Sequence, residues 1–176
     1  MEIPESKMEN IIKISNTAAK KLGLSRINFV FSLKKSLGED VNVNYRKVHD
    51  GKVWIEIGPK ALKPFGKKDV YHEMMHVKDA LEKNLDFSDN LKGETLRMKI
   101  IASIVLNFSV DGRLDKMKLP HIGKNERLKI TADFLSKKGV KTSRTETRRI
   151  LKKLWGKNLK KKEVLLSARR LNSVFF

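Results

Sequence analysis

The chain has neither cysteine nor glutamine among its 176 residues. Without cysteine it can form no disulfide framework and no thiolate metal site. The lack of glutamine, together with abundant lysine, favours a heat-adapted intracellular protein. The first ten residues, MEIPESKMEN, are polar and partly acidic, which is not the pattern of a secretory signal. We therefore predict a cytoplasmic location.

Long apolar runs are also missing. The longest, IIASIVLNF at 100–108, is about half of the roughly 20 residues that a bilayer-spanning helix requires. We expect no membrane span. Hydrophobic residues nevertheless make up 40% of the chain, which is enough to form a packed core.

Positive charge is concentrated in the last third of the chain. Residues 116–176 contain 19 Lys and Arg against four Asp and Glu, whereas residues 1–115 contain 20 against 16. A field of this kind attracts nucleic acid or an acidic partner. The alternative is that these residues form the solvated faces of structural helices.

Periodicity and turn signals place a helix first, then strands, then further helices, which is the order of an α+β protein. Asp50-Gly51 lies between two alternating segments, 41–48 and 52–58, and predicts a β-hairpin. We divide the chain into an α+β domain, 1–120, and a basic helical subdomain, 121–176. The predicted helices cover 5–22, a segment capped by Asp69, 91–106 with 119 as an alternative end, 124–138, 144–155 and 160–172, and a further strand covers 27–33.

The segment YHEMMH at 71–76 places His72 and His76 four residues apart within a helical pattern. Residues i and i+4 of a helix project from the same side, so the two imidazoles can bind one metal ion. Glu73 points about 100° around the helix, where it can reach a water molecule and accept its proton. Imidazole ligands suit zinc, of which we predict one ion per chain.

The same helix carries an apolar stripe with helical spacing. The two histidines are expected on the side opposite this stripe, facing a cleft rather than the core. The alternative is an ordinary amphipathic helix with a solvent-facing histidine pair. The stripe consists of Val70, Met74, Val77, Leu81 and Leu85.

HEMMH resembles the His-Glu-x-x-His signature of the zincins, the zinc-dependent metallopeptidases, of the gluzincin or aspzincin type. The resemblance implies that His72 and His76 bind the metal and that Glu73 is the general base in hydrolysis of a peptide or protein substrate. It also implies a zincin-like fold, with an N-terminal helix and a small, mainly antiparallel sheet before the active-site helix. The strand KVWIEIG at 52–58 would then pair with the substrate.

The third metal ligand has several candidates. LNFSVDGRLDK at 106–116 resembles a segment of several zincin-like families in which an Asp completes the site, and this points to Asp111. Asn107, one turn earlier, could position that carboxylate. Glu94 is the alternative third ligand, as in gluzincins, and His121 is a further candidate. Asp111-Gly112 is also a turn signal, so Asp111 could instead cap a turn.

Two further residues are candidates for stabilising an oxyanion near the metal. They are Arg113 and His121, each with the alternative of an ordinary surface residue. The sequence thus predicts a zinc-dependent metallopeptidase. The alternative function is binding of nucleic acid or an acidic partner through residues 116–176.

Overall fold

The computed structural model describes residues 5–37, 41–44, 51–58, 60, 64–83, 85, 91, 93–137 and 144–175. Most of these residues are helical. Their contacts divide the chain into two compact units, Met1–Asp86 and Phe87–Phe176. This division falls earlier than the one at residue 120 that the sequence suggested, because the long helix before that point packs on the C-terminal helices.

The first unit contains two helices and a small sheet. The N-terminal helix ends as expected before Gly23, whose φ of 73° stops the helix at low cost. The elements are α1 (Glu5–Leu22), β1 (Asn28–Leu33), a short 3₁₀ turn (Lys35–Leu37), β2 (Val41–Asn44), β3 (Lys52–Ile57) and α2 (Lys67–Lys83).

The sheet has three strands in the order β1-β3-β2. β2 pairs antiparallel with β3 over four residues, as the predicted hairpin requires, although residues 45–50 lie outside the described part of the chain. β1, however, runs parallel to β3 over six residues, from Asn28 opposite Lys52 to Leu33 opposite Ile57. The prediction of a zincin-like fold with a mainly antiparallel sheet is therefore wrong.

The central position of β3 corrects a second expectation. Its inward side chains Val53, Ile55 and Ile57 are fully buried. Both of its backbone edges are already paired, one with β1 and the other with β2. A substrate therefore cannot add to β3 as a further strand, because strand addition needs an unpaired edge.

Helix α1 packs against α2 and also contacts β1. Its buried side includes Ile11, Ala18 and Leu22. The ammonium group of Lys78 on α2 donates to the carbonyl oxygen of Leu22 at 2.9 Å, which satisfies one of the free carbonyls at the end of α1. This contact and the apolar core fix α2, the helix that carries the histidines, on its own unit.

The regular secondary structure in the described part of the second unit is entirely helical. Its central helix, α3 (Leu96–Lys116), packs with three shorter helices, α4 (Lys124–Lys137), α5 (Arg144–Leu154) and α6 (Lys161–Phe175). Thr95 is the N-cap of α3, since its hydroxyl oxygen accepts from the Met98 N–H at 3.3 Å. Ser143, predicted to cap α5 together with Glu146, lies outside the described residues.

Gly112 and Gly156 let α3 approach the end of α5 closely. A Cβ atom on Gly112 would lie 2.0 Å from the backbone nitrogen of Gly156, a distance that no real contact allows. Ser109 donates to the Lys157 carbonyl at 2.6 Å, and Lys116 donates to the Gly156 carbonyl at 2.9 Å. Gly112 therefore lies inside a helix at a close contact, and the Asp111-Gly112 pair does not form the turn that it resembles.

Candidate metal centre

Helix α2 begins three residues earlier than the sequence suggested. It starts at Lys67, so Asp69 lies in its first turn rather than at the N-cap. The Asp69 carboxylate accepts from the backbone N–H of Gly66 at 2.8 Å, which is the reciprocal arm of a capping box. An acidic group here also complements the positive end of the helix dipole. The start of the helix is thus fixed one turn before the histidines.

The apolar stripe of α2 is buried as predicted along most of its length. Val70, Met74 and Val77 have no exposed surface, and Leu81 is half-buried. Burial also extends beyond the stripe, because Tyr71 and Met75 are buried as well. The expected division into one core side and one open side is therefore too simple for this helix.

The two histidines lie together. The Nε2 atoms of His72 and His76 are 3.1 Å apart, and the rings meet edge to face with centroids 4.7 Å apart. His72 is only 5% exposed, whereas His76 is half-buried. The low exposure of His72 corrects the view of both rings as facing an open cleft.

This geometry fits a shared metal ion. With zinc–nitrogen distances of about 2.0–2.1 Å, nitrogens this far apart subtend about 95–102° at the ion, close to the tetrahedral angle. The same separation also suits an N–H···N hydrogen bond between a donor imidazole and an acceptor imidazole. A proton and a zinc ion are thus alternative occupants of the space between the two nitrogens.

Glu73 is half-buried and directly follows His72 on the helix. A step of one residue turns its side chain about 100° away from that of His72, so Glu73 leaves the helix from the neighbouring side. Its role as the acceptor of a proton from water stays a prediction from the sequence.

Tyr71 is a feature that the sequence reasoning did not single out. Its side chain is fully buried, and its hydroxyl has no hydrogen-bond partner among the residues that the structure describes. Burial raises the pKa of this hydroxyl above its ordinary value, because the phenolate would be poorly solvated. Only its position next to His72 could have drawn attention to it from the sequence.

The predicted third ligand, Asp111, belongs to the second unit and has no exposed surface. One carboxylate oxygen accepts from Arg127 Nε on α4 at 2.6 Å, and the other accepts from the Ile122 backbone N–H at 3.4 Å. Arg127 is itself 7% exposed. Asp111 thus joins α3 to α4 and to the segment between them, a role that the sequence did not reveal.

The other predicted site residues also lie in the second unit. Glu94 Oε1 is 3.8 Å from Arg169 on α6, and Arg113 Nε donates to the Ser109 carbonyl at 3.4 Å. His121 is in hydrogen-bond contact through Nδ1 with the Leu119 carbonyl at 2.8 Å, and Asn107 is half-buried on α3.

Within the described part of the chain, no group of three or more His, Cys, Asp or Glu side chains is arranged to hold a metal ion. The two imidazoles are therefore the part of the predicted site that the structure brings together. The identity of the third ligand stays a prediction from the sequence.

Comparisons with known proteins identify no family for this chain. No protein-family model matches the chain, and searches of curated proteins and of solved structures find no similar chain. The resemblance to metallopeptidases therefore depends on the motif residues alone. No helix among the described residues is long and apolar enough to cross a membrane.

Proposed function

We propose that this protein is a zinc-dependent metallopeptidase. The observation that supports the proposal is the 3.1 Å separation of His72 Nε2 and His76 Nε2 on one helix, with Glu73 beside them. Two imidazoles within reach of one ion, with a carboxylate next to His72 in the sequence, supply the ligands and the base that metal-assisted hydrolysis needs.

In the proposed reaction the two histidines and Glu73 have different roles. When bound, zinc would act as a Lewis acid that polarises a peptide carbonyl and makes a nearby water molecule more acidic. His72 and His76 hold their positions through the helix, and the burial of His72 limits the motion of its ring. Glu73 accepts the proton of the attacking water and returns it to the amine that leaves.

The proposal has a two-part test. First, the protein is stripped of metal, titrated with Zn²⁺ and analysed for bound metal; we expect one ion per chain, lost in His76→Ala. Second, hydrolysis of a mixed peptide library is compared between the zinc-loaded protein and Glu73→Gln. We expect the variant to bind zinc normally and to have lost most of the hydrolysis.

The two parts of this experiment separate metal binding from catalysis. Loss of zinc in Glu73→Gln would mean that this residue is a ligand rather than the base. Zinc binding without any hydrolysis above that of Glu73→Gln would overturn the proposed activity and leave a metal site of another role.

A further inference from the structure

Among the described side chains of α5, the exposed ones are all basic except Thr145. Arg148, Arg149, Lys152 and Lys153 are all exposed, whereas Leu151 and Leu154 turn inward and are 1% and 6% exposed. At 100° per residue, the four cations lie within about 140° of the helix circumference. We call these four residues the α5 basic face.

The arrangement of the α5 basic face is unfavourable for the helix alone. Arg148 with Lys152, and Arg149 with Lys153, are two i, i+4 pairs of like charge, and such pairs destabilise a helix. Lys152 and Lys153 in the last turn do complement the negative end of the helix dipole, which offsets part of this cost. A polyanion lying along the face would remove the repulsion, so binding and helix stability would reinforce each other.

The basic surface continues beyond the helix. Lys157 and Lys160, in the connection to α6, are exposed, and so is Lys162 in the first turn of α6. Helices α5 and α6 pack against each other, so these residues belong to the same helix pair. The one acidic residue at the start of α6, Glu163, accepts from the Lys160 backbone N–H at 2.7 Å and serves as part of the helix cap.

The composition of the α5 basic face favours one class of anionic partner over the others. A membrane-surface helix needs large apolar side chains to insert, and the described side chains of α5 include no exposed one. The cores of protein interfaces are depleted in lysine and enriched in aromatic residues, whereas this face has two lysines and no aromatic side chain. The backbone of a nucleic acid is a regular array of phosphates, and a row of positively charged side chains is sufficient to bind it.

We infer that the α5 basic face, with the connection to α6, binds the phosphate backbone of nucleic acid. The contacts are made to phosphates, so binding is driven by the release of counterions and is largely independent of base sequence. This inference depends on charge and exposure within the second unit, and it is independent of the proposed peptidase activity.

The test uses the full chain and a fluorescein-labelled 20-nucleotide RNA and 20-base-pair DNA, with binding followed by anisotropy. Four phosphate contacts from the α5 basic face alone predict that affinity falls by at least about 50-fold for the RNA and about 100-fold for the DNA between 50 and 200 mM salt. Contacts from Lys157 and Lys160 would make the fall steeper. The double variant Lys152→Glu/Lys153→Glu should weaken binding by at least about tenfold at constant salt and make the salt dependence less steep.

The chain offers a matched control in Lys20 and Lys21. They are also neighbouring exposed lysines in the last turn of a helix, α1, so Lys20→Glu/Lys21→Glu changes the net charge equally. We expect this control to retain binding within about threefold. Equal losses in the two double variants would show a non-specific effect of net charge and overturn the inference, as would the absence of binding at 50 mM salt. Tighter binding to polyglutamate or to phosphatidylserine vesicles than to either oligonucleotide would overturn it too.

Discussion

Arg127 Nε lies 2.6 Å from Asp111 Oδ2, and both side chains are buried within the second unit. Removing one partner of a buried ion pair leaves the other charge without compensation, at a cost of about 3–5 kcal/mol. We therefore expect Arg127→Met to lower the free energy of unfolding by roughly this amount, measured by urea denaturation. The double variant Asp111→Leu/Arg127→Met should recover much of the loss, because no unpaired charge remains. A double variant no more stable than Arg127→Met would contradict this account.

Zinc titration of the single variants tests the sequence prediction for Asp111 separately from its role in stability. Asp111→Leu and Arg127→Met both break the ion pair, so they are matched in that respect. A ligand role for Asp111 predicts that zinc affinity falls by at least about tenfold in Asp111→Leu and stays unchanged in Arg127→Met. Equal affinities in the two variants would leave Asp111 with a structural role alone, and Glu94→Gln would then be the next variant to titrate.

The helices of this protein could be predicted well from the sequence. Apolar spacing indicated α1 and α4–α6 to within a few residues, and Gly23 and Gly156 both end helices with positive φ, as glycine after a helix usually does. The His72–His76 contact was equally accessible, because it follows from a spacing of four residues within one helix. These features are local, and local patterns suffice to specify them.

Features that join distant parts of the chain could not be predicted in this way. Alternation in β3 shows that Val53 and Ile55 are buried, but it says nothing about which strands pair with its edges, and the parallel partner β1 was missed. Asp111-Gly112 resembles a turn signal, whereas the structural reason for a glycine at position 112 is the close approach of Gly156 from another part of the chain. The partner of Asp111, on another helix, was hidden for the same reason.

Tyr71 provides a prediction about alkaline pH. Its buried hydroxyl has a raised pKa, so the folded state keeps this proton at pH values where the unfolded chain, with a pKa of about 10, loses it. The corresponding stability is fully present below pH 10 and is lost as the pH rises through the folded-state pKa. We expect the stability of the original protein relative to Tyr71→Phe to fall above pH 10, as measured by urea denaturation at several pH values.

At pH 7 the Tyr71→Phe variant should be at least as stable as the original protein, since it lacks a hydroxyl buried without a partner in the described structure. A difference that stays constant up to pH 12 would contradict this prediction.

Gly112→Ala should destabilise the protein, which is the opposite of the usual effect of a Gly→Ala substitution inside a helix. Replacing glycine by alanine inside a helix normally stabilises a protein by about 1 kcal/mol. Here the added methyl group would meet backbone atoms of Gly156, which cannot move aside as a flexible side chain could. We expect a loss of at least about 2 kcal/mol in the free energy of unfolding. Ser103→Ala, at an exposed position of the same helix, is the matched control and should be neutral or slightly stabilising. A stabilising effect of Gly112→Ala would show that α3 and the end of α5 are further apart than described.

Zinc should stabilise the folded protein, because the spacing of the two imidazoles is set by the helix and is absent in the unfolded chain. At a free zinc concentration 100 times the dissociation constant, linkage predicts about 2.7 kcal/mol, which corresponds to a rise in Tm of roughly 5–10 °C for a chain of this size. The measurement is a thermal melt with and without Zn²⁺, with a chelator to reverse the effect. His72→Ala and His76→Ala should each abolish the rise, whereas His121→Ala, which removes a histidine of the second unit, should retain it. A rise that persists in His76→Ala would mean that zinc binds elsewhere, and the contact between His72 and His76 would then be a hydrogen bond between two imidazoles.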